Sequence, residues 1–338
     1  MSSLTLAARA LDRIPATVLD RVVPALTNRS GDRMDSDVRL SLAVLNLATK
    51  DFSDLPVDQA RREIEKEAAA GDPGSPAVLA VSTRYVGGVL ARIYYPIGAQ
   101  IPRPAVLYAH GGGWTLGSTR SHDSTARFLC HRAEVIVISL EYPLAPEHPH
   151  PTALLAVNDA LDAVLEGQVP GVDPHKVIIA GDSAGGHLSA AVSLLRADSG
   201  SSQPVAQMLF VPVTNLSRLD TVSYDEFARG YFLTRKHMRW YRNHYLGSEL
   251  ELATDWRVSP LLAPPELLAR TAPAYVSVAG FDPLRDEGLA YAQALREAGV
   301  ETTLRVNSGL LHPFVNSLGV WRGAREAMHH AVRFMRDL

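Results

Sequence analysis

From about residue 77 the apolar positions fall into short β-branched runs that alternate with longer stretches carrying apolar residues three and four apart. Runs of the first kind read as strands and stretches of the second as helices. Their alternation predicts a largely parallel sheet with helices on both faces, an α/β class chain. The candidate strands are 79–85, 89–95, 105–109, 135–140, 177–180, 207–213, 274–279 and 302–306. Helical patterns cover 121–131, 151–165, 184–196, 286–298 and 320–336. Val86-Gly87-Gly88 between the first two strands predicts a hairpin, so one edge is antiparallel and the sheet of about eight strands is mixed.

Two regions break this rhythm. Residues 1–76 are helical in pattern, include the charged run Val57–Ala70, and end in the Gly/Pro-rich boundary GDPGSP at 71–76. Residues 214–262 intervene inside the 77–338 domain where one helix is expected. They carry Tyr224, Phe227, Tyr231, Phe232, Trp240, Tyr241, Tyr245 and Trp256, eight aromatics in 49 positions, about 16% against 7% for the chain. That enrichment argues against a solvated loop, and the two regions together read as a helical cap, with ordinary helix packing as the plainer alternative.

Composition narrows the function. With 338 residues, 46% hydrophobic and 20% charged, the chain buries a sizeable core as one large domain plus an appendage. A net charge of −3 with scattered basic residues gives no electrostatic footprint for nucleic acid. Cys130 is the single cysteine, so no intrachain disulfide forms, and it reads as a buried structural thiol. Arg9 and Asp12 interrupt what would be the apolar part of a signal peptide, and no run reaches 18 uninterrupted apolar residues. The expectation is a soluble, cytoplasmic protein whose first 25 residues, an amphipathic helix pair, pack on the body or make peripheral contact with a membrane surface.

The chemistry centres on Gly181-Asp182-Ser183-Ala184-Gly185, which follows the apolar run 177–180 and precedes a helical pattern. A G-x-S-x-G match alone is weak; between a strand and a helix it describes a nucleophile elbow. A serine hydroxyl needs a base to take its proton, and the oxyanion it generates needs fixed donors. His110-Gly111-Gly112-Gly113-Trp114, after the strand 105–109, exposes backbone N–H groups suited to that task. Alone it also fits a flexible or phosphate-binding turn, yet neither nucleotide motif is completed.

Base and acid are expected on loops after later strands, where sites of open α/β sheets gather. Asp282 in GFDPLRDEG and His312 in NSGLLHPF meet that test. Asp286, at the start of the next helix, is the rival acid and suits the helix dipole better. Asp182 is expected to bond locally inside the elbow. His187, in the helix leaving it, is a rival base that reads as packed beneath the site. His148, His150, His329 and His330 lack a third ligand at zinc-like spacing, so no metal is expected.

HGGGW at 110–114, GDSAGG at 181–186, DPLRDEG at 282–288, LLHPF at 310–314 and EYPLAPEHPHP at 141–151 stand in one order. Together, over about residues 77–338, the chain closely resembles the hormone-sensitive-lipase-like branch of the α/β-hydrolase esterases. The resemblance implies an α/β-hydrolase fold with Ser183 as nucleophile, His312 as general base and acid, and Asp282 as its partner. It further implies an oxyanion hole from the N–H groups of Gly112, Gly113 and Ala184, with His110 and Gly111 shaping the loop. The implied activity is cofactor-free hydrolysis of small-molecule carboxylic esters of short to medium acyl chain. A lipase, sterol-ester hydrolase or amidase on the same triad is the nearest alternative, and a non-catalytic binding module on this fold the more distant one. A homodimer through the edge strand near 302–306 is also implied. This chain departs from the family pattern at Pro143, where an arginine of a structural ion pair is common, at His187, where asparagine is usual, and at Asn307 and Pro313, which flank His312. Pro313 biases His312 toward extended backbone.

Overall fold

The computed structural model of the chain describes residues 14, 16–48, 51–70, 75–98, 101–312 and 314–338. Its strands are β1 (Ala80–Val86), β2 (Val89–Tyr95), β3 (Arg103–Ala109), β4 (Ile136–Glu141), β5 (Val172–Asp182), β6 (Ala206–Phe210), β7 (Ala274–Phe281) and β8 (Thr302–Leu311). They form one sheet in the order β1-β2-β4-β3-β5-β6-β7-β8. Pairing is antiparallel for β1 with β2 and β2 with β4, and parallel for the rest. This is the α/β-hydrolase fold. The helices are α1 (Ala16–Val22), α2 (Ser36–Ala48), α3 (Val57–Ala70), α4 (Asp123–Ala133), α5 (Thr152–Leu165), α6 (Ala184–Ser199), α7 (Val222–Glu226), α8 (Arg235–Leu246), α9 (Pro265–Leu268), α10 (Arg285–Glu297) and α11 (Arg322–Arg336).

Period-two alternation divides the core between two faces. Val106 and Tyr108 of β3, with Ile178 and Ala180 of β5, pack with Phe128 and Leu129 of α4 and Met328 and Val332 of α11. Their neighbours Leu107, Val177 and Ile179 join Val157 and Leu161 of α5 and Leu188 and Val192 of α6 on the other face. All are buried, and each such large side chain contributes about 1.5–3 kcal/mol of transfer free energy. In α5 the buried positions Ala153, Leu154, Val157, Ala160, Leu161 and Val164 trace the apolar stripe of an amphipathic helix.

Three strand boundaries differ from the sequence expectation by three residues or more. The run 207–213 stops as a strand at Phe210, because Pro212 has no N–H for a ladder and Val211 turns to φ +40°. Strand β5 starts earlier, at Val172, through a polar stretch that hides it from apolar pattern reading. Likewise β8 continues past Val306 through Asn307, Ser308 and Gly309 to Leu311, where it pairs with Phe281 across an irregularity in β7. Asn307 is held there by its amide donating to Ser277 Oγ at 2.9 Å and Val278 O at 3.0 Å.

The two off-rhythm regions meet. Phe52 lies against His237 and Tyr241 of α8, with ring centroids 4.4 and 5.5 Å apart, and Lys236 of α8 binds Asp51 at 2.9 Å and Asp54 at 2.6 Å. Helix α3 is tied to the body by Arg61, which donates to Thr115 O at 2.9 Å, to Ala145 O at 3.0 Å and to both Glu147 oxygens at 2.8 and 2.7 Å. Glu147 therefore has a guanidinium partner although position 143 is proline. Residues 1–13, most of the 71–76 boundary and Pro313 lie outside the described residues, and with them the expected first helix and the bias on His312.

Candidate active site

Strand β5 runs straight into α6, and Ser183 sits on the turn between them at φ +56°, ψ −117°. Such a backbone costs of order 1–3 kcal/mol in a non-glycine residue and persists only when its surroundings hold it. Here the holding is explicit. Ser183 N donates to Phe210 O at 2.8 Å, and Ser183 O accepts from His187 N at 2.9 Å. Gly185 lets the helix close onto β3, since a Cβ there would lie 1.9 Å from Ala109 O.

His312 follows β8 and Asp282 follows β7. The Ser183 Oγ to His312 Nε2 distance is 2.9 Å, and His312 Nδ1 lies 2.8 Å from Asp282 Oδ2. An ionised carboxylate only accepts, so Nδ1 carries the imidazole proton and Nε2 is left to accept from the serine hydroxyl. Asp282 is fully buried, and its other oxygen accepts from Leu284 N at 2.9 Å. The rival Asp286 instead accepts from Ser223 N at 2.8 Å and pairs with Arg285 at 3.0 Å, joining α7 to α10. His187 is buried with its Nδ1 accepting from Trp114 Nε1 at 3.1 Å, and burial pushes it down to about 3, so it stays neutral.

The glycine loop leaves β3 beside the elbow. His110 shapes it by donating from Nδ1 to Gly111 O at 2.8 Å, by stacking on Tyr142 with centroids 4.3 Å apart, and by its own carbonyl accepting from Tyr142 Oη at 2.7 Å. Gly112 and Gly113 have φ of +119° and +59°, and a Cβ on Gly113 would lie 2.0 Å from the Tyr241 ring. The N–H groups of Gly112, Gly113 and Ala184 have no hydrogen-bond partner among the described residues.

Asp182 corrects the sequence expectation, because its bonds are long-range. Its carboxylate accepts from Tyr108 Oη at 2.7 Å and Gly111 N at 3.0 Å, and lies 3.3 Å from His122 Nε2. Burial alone would raise this carboxyl, yet the His122 imidazole and the Tyr108 hydroxyl outweigh it and hold it below the ordinary range. Asn316 reaches the same imidazole at 2.8 Å. Sequence reasoning missed Tyr108, His122 and Asn316. Tyr108 alone carried a signal, as a hydroxyl at a core position two residues before the loop.

Glu287, in the first turn of α10, is also buried, and its Oε1 accepts from Thr214 N at 2.8 Å and Asn215 N at 3.2 Å. Burial, reinforced by the Asp282 charge, pushes its carboxyl up to about 8. Burial likewise pushes the Cys130 thiol up to about 12, leaving it inert. No group of three side chains suited to a metal occurs among the described residues.

Ser183 and His312 border a cavity of about 280 Å³. Gly112 and Gly113 line it on the body side, while Phe52, Ile64, Glu67, Phe232, Leu233 and Tyr241 line it from the two off-rhythm regions. No helix among the described residues is long and apolar enough to cross a membrane.

The model of the alpha/beta hydrolase fold family matches residues 106–316, spanning the glycine loop, the elbow, Asp282 and His312. The chain belongs to this family, in its hormone-sensitive-lipase-like branch. The carboxylic ester hydrolase LipN of Mycobacterium tuberculosis is 40% identical over 259 residues, 74% of this chain and 67% of LipN. The ethyl acetate hydrolase of Pseudomonas putida is 34% identical over 295 residues, 84% of this chain and 91% of that enzyme. The hyperthermophilic esterase of the archaeon Pyrobaculum calidifontis superposes with a TM-score of 0.84 at 33% identity, covering 90% of this chain and 98% of that one. As a member of this branch the protein is a carboxylic ester hydrolase.

Proposed function

We propose that this esterase works through an acyl-enzyme on Ser183. In this reading His312 takes the hydroxyl proton as Oγ attacks the ester carbonyl, then gives it to the departing alcohol. Water activated by the same imidazole releases the acid, and Asp282 holds the ring in the tautomer that leaves Nε2 free to accept. The observation that carries the reading is the unbroken chain Ser183 Oγ, His312 Nε2, His312 Nδ1, Asp282 Oδ2 at 2.9 and 2.8 Å. The unpaired N–H groups of Gly112, Gly113 and Ala184 supply the oxyanion hole, where each donor is worth about 10²–10³ in rate.

The helical segment up to Ala70 and residues 214–262 act as the cap over residues 77–338. A cavity of about 280 Å³ walled by cap aromatics supports short to medium acyl chains. Two copies paired along β8, the open edge of the sheet, make the homodimer, which sedimentation velocity tests. An organophosphonate tests the nucleophile: intact mass shows one adduct on the wild type and none on Ser183→Ala. Activity on a p-nitrophenyl ester series falls once the acyl chain exceeds the cavity, and undiminished long-chain turnover would favour a lipase.

A further inference from the structure

Helix α3 brings a single carboxylate, that of Glu67, to the lining of the cavity. The other polar groups there are already engaged. Ser41 Oγ donates to Asp37 O at 2.8 Å and accepts from Trp321 Nε1 at 2.9 Å, Asp182 holds the glycine loop, and Asn316 binds His122. Glu67 has no hydrogen-bond or ion-pair partner among the described residues. The basic groups of its own helix are all committed elsewhere: Arg61 to Glu147, Arg62 to Asp58 and Lys66 to Glu63, each at 2.7 Å.

The same wall carries π-faces. Phe52 and Tyr241 stand with ring centroids 5.5 Å apart, both line the cavity with Glu67, and burial, with the Glu67 charge second to it, raises the Tyr241 phenol. A half-buried carboxylate beside two aromatic rings suits one kind of guest. An alkylammonium ion gains charge pairing from the carboxylate and cation–π attraction from the rings, and its methyl groups tolerate the apolar lining. A neutral group of the same shape gains only the apolar contact, and an anion is repelled. Burial pushes the free Glu67 carboxyl up to about 7, the behaviour of an anion without its counter-charge.

We propose that Glu67, with Phe52 and Tyr241, is a specificity determinant that selects carboxylic esters bearing an ammonium group. The proposal deepens the esterase reading and rests on it. The preference arises from binding energy on a part of the substrate remote from the scissile bond.

The test uses two isosteric acetates, acetylcholine and 3,3-dimethylbutyl acetate, whose kcat/KM values are taken for the wild type, Glu67→Gln and Glu67→Lys, each checked for an unchanged Tm. The ratio of the cationic over the neutral ester is expected to fall about tenfold in Glu67→Gln and further in Glu67→Lys. A fall of threefold or more in both supports the proposal, and a smaller change overturns it. Calorimetry of acetylcholine with Ser183→Ala and with Ser183→Ala/Glu67→Gln separates this from the esterase reading. Weaker binding to the double variant supports the Glu67 assignment whatever the outcome of the organophosphonate labelling, on which the Ser183 acyl-enzyme reading stands or falls. Equal binding, or no binding to Ser183→Ala, sinks the assignment.

Discussion

Asp182 Oδ1 accepts a 3.0 Å hydrogen bond from Gly111 N, joining the serine turn to the glycine loop across 71 residues of chain. The residue before Ser183 thereby fixes the glycine loop to which the proposed mechanism assigns the oxyanion donors. Asp182→Ala strands the buried Tyr108 hydroxyl and leaves Gly111 N with only its longer bond to His122 Nε2. We expect a loss of about 3 kcal/mol in urea unfolding, as for removal of one member of a buried charged network. Asp182→Asn keeps an acceptor and should lose less stability while lowering kcat more than it changes KM. A variant as stable as wild type would place the loop under other control.

Ser183 holds a strained backbone that the proposed chemistry needs and the fold does not. Ser183→Gly should abolish ester hydrolysis, by about 10⁴-fold or more, while raising stability by about 1 kcal/mol through release of the φ +56° conformation. Ser183→Ala should lose the same activity without that gain, because a Cβ remains. Chemical denaturation of the two variants side by side separates strain from chemistry, and equal stabilities would mean the turn is not strained.

The buried Glu287 makes a pH prediction. Its ordinary value of 4.5 rises in the folded protein to about 8, so between those values the folded state holds a proton that the unfolded state has lost. Stability from this group is therefore complete below pH 4.5 and declines as pH rises through the window to about 8. Glu287→Gln retains an acceptor for Thr214 N and Asn215 N but cannot ionise. The gap between variant and wild-type Tm should grow in the variant's favour from pH 5 to 8, and parallel Tm curves would refute the shift.

Trp114→Phe removes the donor to His187 Nδ1 and leaves a buried acceptor unpaired, at a cost of about 1–3 kcal/mol. Because His187 lies apart from the His312 chain, the loss should appear in Tm before it appears in the pH profile of kcat. A shifted pH profile would mean that His187 communicates with the reacting groups.

Legibility followed range along the chain. Ser183, Asp282 and His312 stand just past strand ends, a positional rule readable from apolar runs and turn residues, and the structure brings them within hydrogen-bond distance. The bonds of Asp182 were not readable, because Tyr108 and His122 reach it by packing that no local pattern encodes. The end of β8 was obscured for a different reason: Asn307 and Ser308 look like loop residues, although an edge strand needs no apolar face there. The role of Arg61 in α3 was likewise hidden inside what reads as an ordinary charged helical face.

The grip of Arg61 on Thr115, Ala145 and Glu147 anchors α3 to the body. Glu67 stands six residues further along the helix, roughly 9 Å at about 1.5 Å per residue. Ser118 Oγ donates to Glu65 Oε1 two residues before it, so the stretch of α3 that walls the cavity is pinned at two points.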